Sequence, residues 1–286
     1  MKGGEFGASI LALEGDKRER AILQAALVPA NLPGWLRGPW VPIVVGDLTF
    51  FAEPDYDSIG EDGDFLRLSM TPATAQKIAD ARNSILPTRK MVAAIYAAAD
   101  TKLPSKTYAP DSKMESTARM IEHNAAIGNN HPSLSNLLAG HKKDIVIGPD
   151  LDGSHVAIYG WQPDPKVYPY QPYSTVHGAS YADYSHGVRL VHRVMLWKGQ
   201  PVDAEEIFRD PARSKLVSDQ GVFVPRFPNK GAVFSPVALG GGGGGGGASP
   251  AGAAGVVLVS AMIGGALGGP LGAVVGGVAG SLLAKK

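Results

Sequence analysis

The chain has 286 residues, a formal net charge of +1 and no cysteine. The lack of cysteine excludes disulfide frameworks, Cys-ligated zinc, iron–sulfur clusters and a thiol nucleophile. The near-zero charge argues against a nucleic-acid partner, because phosphate contacts require clustered excess Lys and Arg.

The N-terminal segment predicts an amphipathic helix and no signal peptide. Charged residues crowd Glu14 to Arg20, where a signal peptide would need an apolar core. Asp16 and Glu19 have the spacing of a capping box, which predicts that a helix begins there. Its apolar face would consist of Ile22, Leu23, Ala26 and Leu27.

A hairpin and an acidic run follow. Trp40–Val45 and Leu48–Glu53 are rich in β-forming residues and are separated by Gly46-Asp47, a two-residue turn signal. The run from Glu53 to Asp64 contains six carboxylates and no basic residue. We expect it to form a solvated acidic loop, with a calcium site as the alternative.

Three helices are predicted next. Thr71 is a capping residue followed by Pro72 at the first helical position, and Thr88 has the same capping role after Pro87. The third helix is expected from Ser112 to Gly128, with Met114, Ala118, Ile121 and Ala125 as its buried face.

The second half of the chain changes to strand patterns. Asp144–Ile147, His155–Trp161 and Val188–Trp197 are the predicted strands, and Ala204–Arg209 is a short predicted helix. Residues 1–235 are therefore expected to form one α+β domain, with helices in the first half and an antiparallel or mixed sheet in the second.

Histidine and aspartate residues near these strands suggest a catalytic or metal site. A His beside a carboxylate can act as a general base because its pKa lies near neutrality. The candidate catalytic residues are His141, Asp144, His177, Asp183, Ser185, His186 and Arg189. The histidines would act as bases, the aspartates would orient them and Arg189 would bind an anion. Alternatively, His177, Asp183 and His186 could hold a divalent metal such as zinc. Structural hydrogen bonding is the non-catalytic alternative.

One stretch resembles a known enzyme signature. His177-Gly178, followed by Ser185-His186-Gly187-Val188-Arg189-Leu190, is similar to the L,D-transpeptidase motif, in which His-Gly precedes Ser-His-Gly-Cys-x-Arg. The resemblance implies active-site positions for His177, Ser185, His186 and Arg189. Val188 stands where the family has its nucleophilic Cys, so acyl transfer through a thiolate is excluded.

The C-terminal region predicts a linker and a membrane segment. Residues 236–250 include eight consecutive glycines, Gly240 to Gly247, which indicate a flexible linker. Residues 251–284 carry no charge. A helix over Val256–Ala284 would be about 43 Å long, enough to cross a bilayer core of about 30 Å.

The spacing of small residues in this tail is regular. Glycines recur at every fourth position, namely Gly264, Gly268, Gly272, Gly276 and Gly280. They would share one helical face and allow close approach of a second helix in lipid. The tail, residues 251–286, resembles bacterial glycine-zipper segments, which implies membrane lipid and a second copy of the chain as partners. Pro270 could divide the helix into a helix pair. Soluble packing and disorder are the alternatives.

These patterns predict a membrane- or envelope-associated bacterial protein, with hydrolase-like or transferase-like activity at the His/Asp cluster. The competing hypothesis is a non-enzymatic binding or structural protein that oligomerises through its tail. An exported effector with a shielded tail is a third reading.

Overall fold

Helices and short strands alternate throughout the described chain. The structure is a computed structural model that describes residues 1–129, 136–161 and 170–236. The helices are α1 Gly3–Ile10, α2 Gly15–Ala26, α3 Gly34–Arg37, α4 Pro72–Ala81, α5 Arg89–Ala98, α6 Thr117–Ile127, α7 Ala204–Arg209 and α8 Ser214–Val217. The strands are β1 Val41–Val45, β2 Leu48–Ala52, β3 Ser58–Glu61, β4 Asp64–Arg67, β5 Ser84–Ile85, β6 Thr101–Lys102, β7 Leu138–Ala139, β8 Lys143–Ile145, β9 Ile158–Gly160, β10 Gln171–Ser174, β11 His186–Gly187, β12 Val191–His192, β13 Val194–Trp197 and β14 Gln200–Asp203.

The larger sheet is curled and antiparallel, with β2 at its centre. The predicted hairpin is confirmed: β1 pairs with β2 through Val45 and Leu48, and Gly46 adopts φ +60° in the turn. A positive φ is readily adopted by glycine because it lacks a Cβ atom.

The opposite edge of β2 pairs with both β12 and β13. β12 also pairs with β5, and β13 pairs with β14. The predicted strand Val188–Trp197 is therefore interrupted, and its two pieces take different outer partners. The α+β class is confirmed, but the expected separation of helices from strands is wrong, because β1 to β6 lie in the first half. A two-residue strand such as β5 is too short to show a periodic pattern.

The second sheet positions most of the candidate residues. Its order is β10-β9-β8-β11, with β11 parallel to β8 and the other pairs antiparallel. The parallel register sets His186 beside Lys143, and Gly187 beside Asp144. A Cβ atom on Gly187 would lie 2.6 Å from the Tyr56 ring, so this close packing requires glycine.

The helix caps agree with the sequence at two of four positions. Thr71 and Thr88 cap α4 and α5, accepting hydrogen bonds from Thr74 N and Met91 N. The predicted capping box of α2 is wrong: this helix begins at Gly15, and Glu19 accepts hydrogen bonds from Thr71 N and Oγ1 instead, each at 2.9 Å.

Helix α6 also begins later than expected. Its cap is Ser116, not Ser112, and Gly128 terminates it with φ +86°. The buried residues of α6 are Thr117, Met120, His123 and Asn124, so the predicted apolar face is wrong. The shifted start changes which residues face the core.

Half of the predicted acidic loop is buried. Glu53, Asp55 and Asp57 are at most 2% exposed, because they lie between β2 and the hairpin of β3 and β4. Arg67 pairs with Asp55, and Arg82 pairs with Asp57 and Glu53, whose pKa is raised to about 8 by burial and by Asp57. The expectation of a solvated loop holds only at the hairpin turn, where Glu61 and Asp62 are exposed.

The predictions for the C-terminal tail lie outside the described residues. These predictions concern the glycine run, residues 251–286 and the repeated glycines. All the described residues belong to one unit, Met1–Gly246. Within 1–129, 136–161 and 170–236, none of the helices has the length and apolar character needed to cross a membrane.

Candidate functional site

The loop before β11 forms a polar cluster with β8. We call Lys143, Tyr181, Asp183, Ser185 and His186 the His186 cluster. Asp183 Oδ1 accepts hydrogen bonds from Ser185 N at 2.7 Å and from Ser185 Oγ at 2.5 Å. Lys143 N donates to Ser185 O at 2.8 Å, which fastens the loop to β8. The Ser185 hydroxyl therefore orients the carboxylate.

The second oxygen of Asp183 faces the other three members of the cluster. Asp183 Oδ2 lies 3.6 Å from Lys143 Nζ and 3.9 Å from His186 Nε2, and Tyr181 OH donates to it at 3.4 Å. Burial alone would raise the pKa of this carboxyl. Attraction to His186, which is protonated at the acidic pH where this carboxyl titrates, and to Lys143, with the hydrogen bonds from Ser185, outweighs burial and lowers the pKa to about 2. Asp183 is therefore ionised at neutral pH.

His186 is buried without hydrogen bonds from the described chain. Its exposure is 0%, and neither Nδ1 nor Nε2 has a hydrogen-bond partner among the described residues. Burial lowers its pKa to about 4, although Asp183 acts in the opposite direction. The imidazole is therefore neutral at pH 7, with one nitrogen available as a proton acceptor.

Aromatic rings surround this cluster. The Tyr181 ring lies 5.7 Å from His186 edge-on, and His177 stacks on Tyr181 at 4.1 Å. Lys143 Nζ lies 4.6 Å from the centre of the Trp161 ring, a cation–π geometry. Tyr181 and His177 are half-buried, whereas His186 lies beneath them.

The expected metal site at His177, Asp183 and His186 has no support from this geometry. His177 reaches the cluster by ring stacking on Tyr181. In the described parts of the chain, no three His, Asp or Glu side chains are grouped as metal binding requires.

His141 and Asp144 belong to a different network from His186. His141 Nε2 lies 3.0 Å from Asp55 Oδ1, and Arg67 Nε donates to Asp55 Oδ2 at 2.9 Å. Burial raises the pKa of Asp55, but Arg67 and His141 hold it far below its usual range. Burial lowers the pKa of His141 to about 4. Asp55, and not one of the candidate aspartates, is therefore the carboxylate beside His141.

Asp144 and Arg189 are packed around Tyr56. Tyr56 OH donates to Asp144 Oδ2 at 2.9 Å, and burial raises the pKa of Asp144 to about 7. Arg189 lies 4.5 Å from the Tyr56 ring centre and donates to the backbone carbonyls of Glu53 and Leu138 at 2.7 and 2.5 Å. We assign Arg189 to holding the backbone of these segments.

Lys142 was missed as a site-supporting residue. Its Nζ donates to Ser69 Oγ at 3.1 Å, to Tyr184 O at 2.8 Å and to His186 O at 3.1 Å. The Lys142 ammonium group therefore holds the backbone at the start of β11. The only sequence signal for Lys142 was its place in a pair of adjacent lysines before a strand. Tyr181, two residues before Asp183, was also not predicted as a site residue.

The residue at the Cys position of the L,D-transpeptidase motif lies in the core. Val188 is fully buried, and its carbonyl oxygen accepts a hydrogen bond from Asp57 N at 2.7 Å. Comparison with known protein families, curated proteins and solved structures gave no match for this chain.

Proposed function

We propose that the chain is a hydrolase in which His186 acts as a general base oriented by Asp183. The observation that carries this proposal is the unpaired, fully buried imidazole beside an anchored carboxylate. Leaving a buried polar group unpaired costs about 1–3 kcal/mol, so such groups in native proteins call for an explanation, such as a catalytic role or an unseen water. A neutral imidazole is suited to accept a proton from a reacting group.

Water is the nucleophile that this cluster favours. The chain contains no cysteine, and the Ser185 hydroxyl donates to Asp183 rather than to His186. His186 would take a proton from a water molecule as that water attacks the substrate, and would return this proton to the leaving group as the scissile bond breaks. Lys143 would stabilise the negative charge that develops on the substrate, since a fixed cation is most effective in a site that excludes water.

The proposed reaction requires a side-chain movement. His186 is fully buried, so no substrate reaches it in the described arrangement. Tyr181 is the candidate for this movement, because its half-buried ring contacts His186 and its hydroxyl makes a long bond of 3.4 Å to Asp183.

The test is hydrolysis of a panel of nitrophenyl esters, phosphates and glycosides by the full-length protein. We expect turnover of at least one class, reduced about 10²- to 10⁴-fold by His186→Gln, the range for loss of a general base. The exposed His155 supplies a matched control, since His155→Gln should leave the rate unchanged. Equal rates for the wild type and His186→Gln would contradict the proposal.

We also propose that residues 251–286 attach the protein to a membrane and to a second copy of itself. The uncharged sequence and the glycines at every fourth position support this. The test is flotation with lipid vesicles, comparing the full chain with a variant that lacks residues 248–286. Flotation of the full chain alone is expected, and flotation of neither would contradict the proposal.

The non-enzymatic alternative predicts a different pair of results. The full chain would then float with vesicles and self-associate, but it would turn over none of the substrates. Replacing Gly268, Gly272 and Gly276 by leucine would test self-association, since larger side chains prevent close helix approach.

A further inference from the structure

The residue between Tyr181 and Asp183 is held on both sides by side chains from distant parts of the chain. This residue, Ala182, is 1% exposed. Its N–H donates to Glu115 Oε2 at 3.3 Å, and its carbonyl oxygen accepts a hydrogen bond from Arg18 Nη2 at 3.2 Å. Both backbone polar groups of one loop residue are therefore bonded to side chains outside the loop.

These two bonds act on the backbone of Tyr181 and of Asp183. A peptide group is planar, and its plane includes the Cα atoms on both sides. The bond from Ala182 N–H therefore orients the plane that contains the Tyr181 Cα atom, and the bond to Ala182 O orients the plane that contains the Asp183 Cα atom. The Tyr181 ring lies 5.7 Å from the ring of the fully buried His186, so the first bond helps to place the ring that covers the candidate base.

The two side chains hold Ala182 with different strength. Arg18 of α2 is 5% exposed, and its Nη1 also donates to the backbone carbonyl of Glu115, so both of these bonds come from a buried cation. Glu115 directly precedes the cap of α6, and its side chain is exposed to water. The bond that it accepts is longer than the usual 2.7–3.2 Å for this type. The Glu115 bond is therefore the weaker of the two.

We propose that Arg18 and Glu115 form a latch that holds Tyr181 over His186, and that breaking the Glu115 bond lets this loop open. The loss of one hydrogen bond shifts an equilibrium between closed and open loops by about threefold to tenfold. A larger open fraction makes His186 accessible more often, without any change in the groups of the His186 cluster. The effect of the latch on turnover rests on the proposed hydrolase function, whereas its shielding of His186 does not.

The test is the rate at which diethyl pyrocarbonate modifies each histidine of the full-length protein at about pH 7, followed by mass spectrometry of its peptides. This reagent attacks neutral imidazole, so the rate reports how often it reaches each ring. We expect Glu115→Ala to raise the rate at His186 about threefold to tenfold. Glu115→Gln keeps an oxygen that can accept the bond from Ala182 N–H, so its rate should stay within about twofold of the wild type.

The chain offers a matched control and two internal references. Glu14 is an exposed glutamate that lines the same surface groove as Glu115, so Glu14→Ala removes an equal charge nearby. This variant should leave the rate at His186 unchanged. The exposed His155 and the fully buried His141 should each react at the same rate in all the proteins. Unfolding of the whole domain would expose His141 as well, so this residue separates loop opening from loss of structure.

Three outcomes would overturn the inference. The first is an unchanged rate at His186 in Glu115→Ala. The second is an equal increase in Glu14→Ala or in Glu115→Gln, and the third is a parallel increase at His141. If Glu115→Ala exposes His186 but neither this variant nor the wild type hydrolyses any nitrophenyl substrate, the latch stands and the catalytic proposal alone is rejected.

Discussion

Replacing Asp183 by asparagine should destabilise the protein by an amount that depends on pH. The pKa of this carboxyl falls from 3.8 to about 2 in the folded protein, because His186, Lys143 and Ser185 favour its ionised form more than burial opposes it. At about 1.4 kcal/mol for each tenfold change in proton affinity, this lowering corresponds to about 2 kcal/mol, and the part that comes from His186 requires its protonated form.

The sign of the pH dependence follows from the lowered pKa. Asp183 contributes stability above pH 3.8, where the unfolded chain is also ionised, and loses it as the pH falls through about 2. The free energies of unfolding of the wild type and Asp183→Asn should therefore differ by at most about 2 kcal/mol from pH 5 to 7, where His186 is neutral, and should converge as the pH falls through about 2.

Urea denaturation of the full-length protein, repeated from pH 2 to 7, measures this difference. Asp47→Asn is the control, because its only ion pair in the described structure is an exposed contact with Lys198 at 3.7 Å. Its effect should stay within about 0.5 kcal/mol. A difference for Asp183→Asn that is constant with pH, or below about 0.5 kcal/mol, would refute the electrostatic reasoning.

Three further substitutions test the support of the site. Asp55→Asn leaves Arg67 buried without its carboxylate, so the free energy of unfolding measured by urea denaturation should fall by about 3–5 kcal/mol. A loss below about 1 kcal/mol would contradict the ion-pair assignment. Gly187→Ala places a Cβ atom 2.6 Å from the Tyr56 ring, so calorimetry should show that the free energy of unfolding falls by about 1–3 kcal/mol. An unchanged melting temperature would mean that the ring moves freely. Thr88→Ala removes the cap of α5 and should lower the free energy of unfolding by about 1 kcal/mol in the same calorimetric measurement. An unchanged melting temperature would mean that the cap does not stabilise α5.

Controls for these variants are available nearby. Gly63→Ala has nothing within 4 Å of its added Cβ, so it should leave the melting temperature nearly unchanged. Thr71→Ala removes the equivalent cap from α4. Each threonine hydroxyl also donates a second hydrogen bond, Thr71 to Glu19 Oε2 and Thr88 to the Val217 carbonyl, so the two variants should lose similar amounts of stability.

Local signals in the sequence predicted local structure. Thr71 and Thr88 cap helices as expected, because a cap depends on hydrogen bonds between residues three apart. Gly46 forms the predicted turn for a similar reason. The proximity of Asp183 and His186 was predictable because they lie in one short loop.

Partners that are distant in the chain were not predictable from the sequence. His141 and Asp55 are 86 residues apart, and no pattern in the sequence indicates that they meet. Asp55 was expected in solvent because its neighbours are acidic, yet Arg67 of β4 pairs with it and makes its burial tolerable. The shift of α6 to Ser116 likewise depends on tertiary packing, since Ser112 and Ser116 are equally good caps by composition.

The proposed hydrolase mechanism requires that His186, oriented by Asp183, transfers a proton in catalysis. Its most direct test is the pH dependence of kcat/KM for the wild type and Asp183→Asn with the best substrate of the panel. We predict an acidic limb near pH 4 for the wild type, where His186 becomes protonated, and a limb at lower pH for Asp183→Asn, because the carboxylate that raises the pKa of His186 is gone. An acidic limb that lies at the same pH in both proteins would contradict the account.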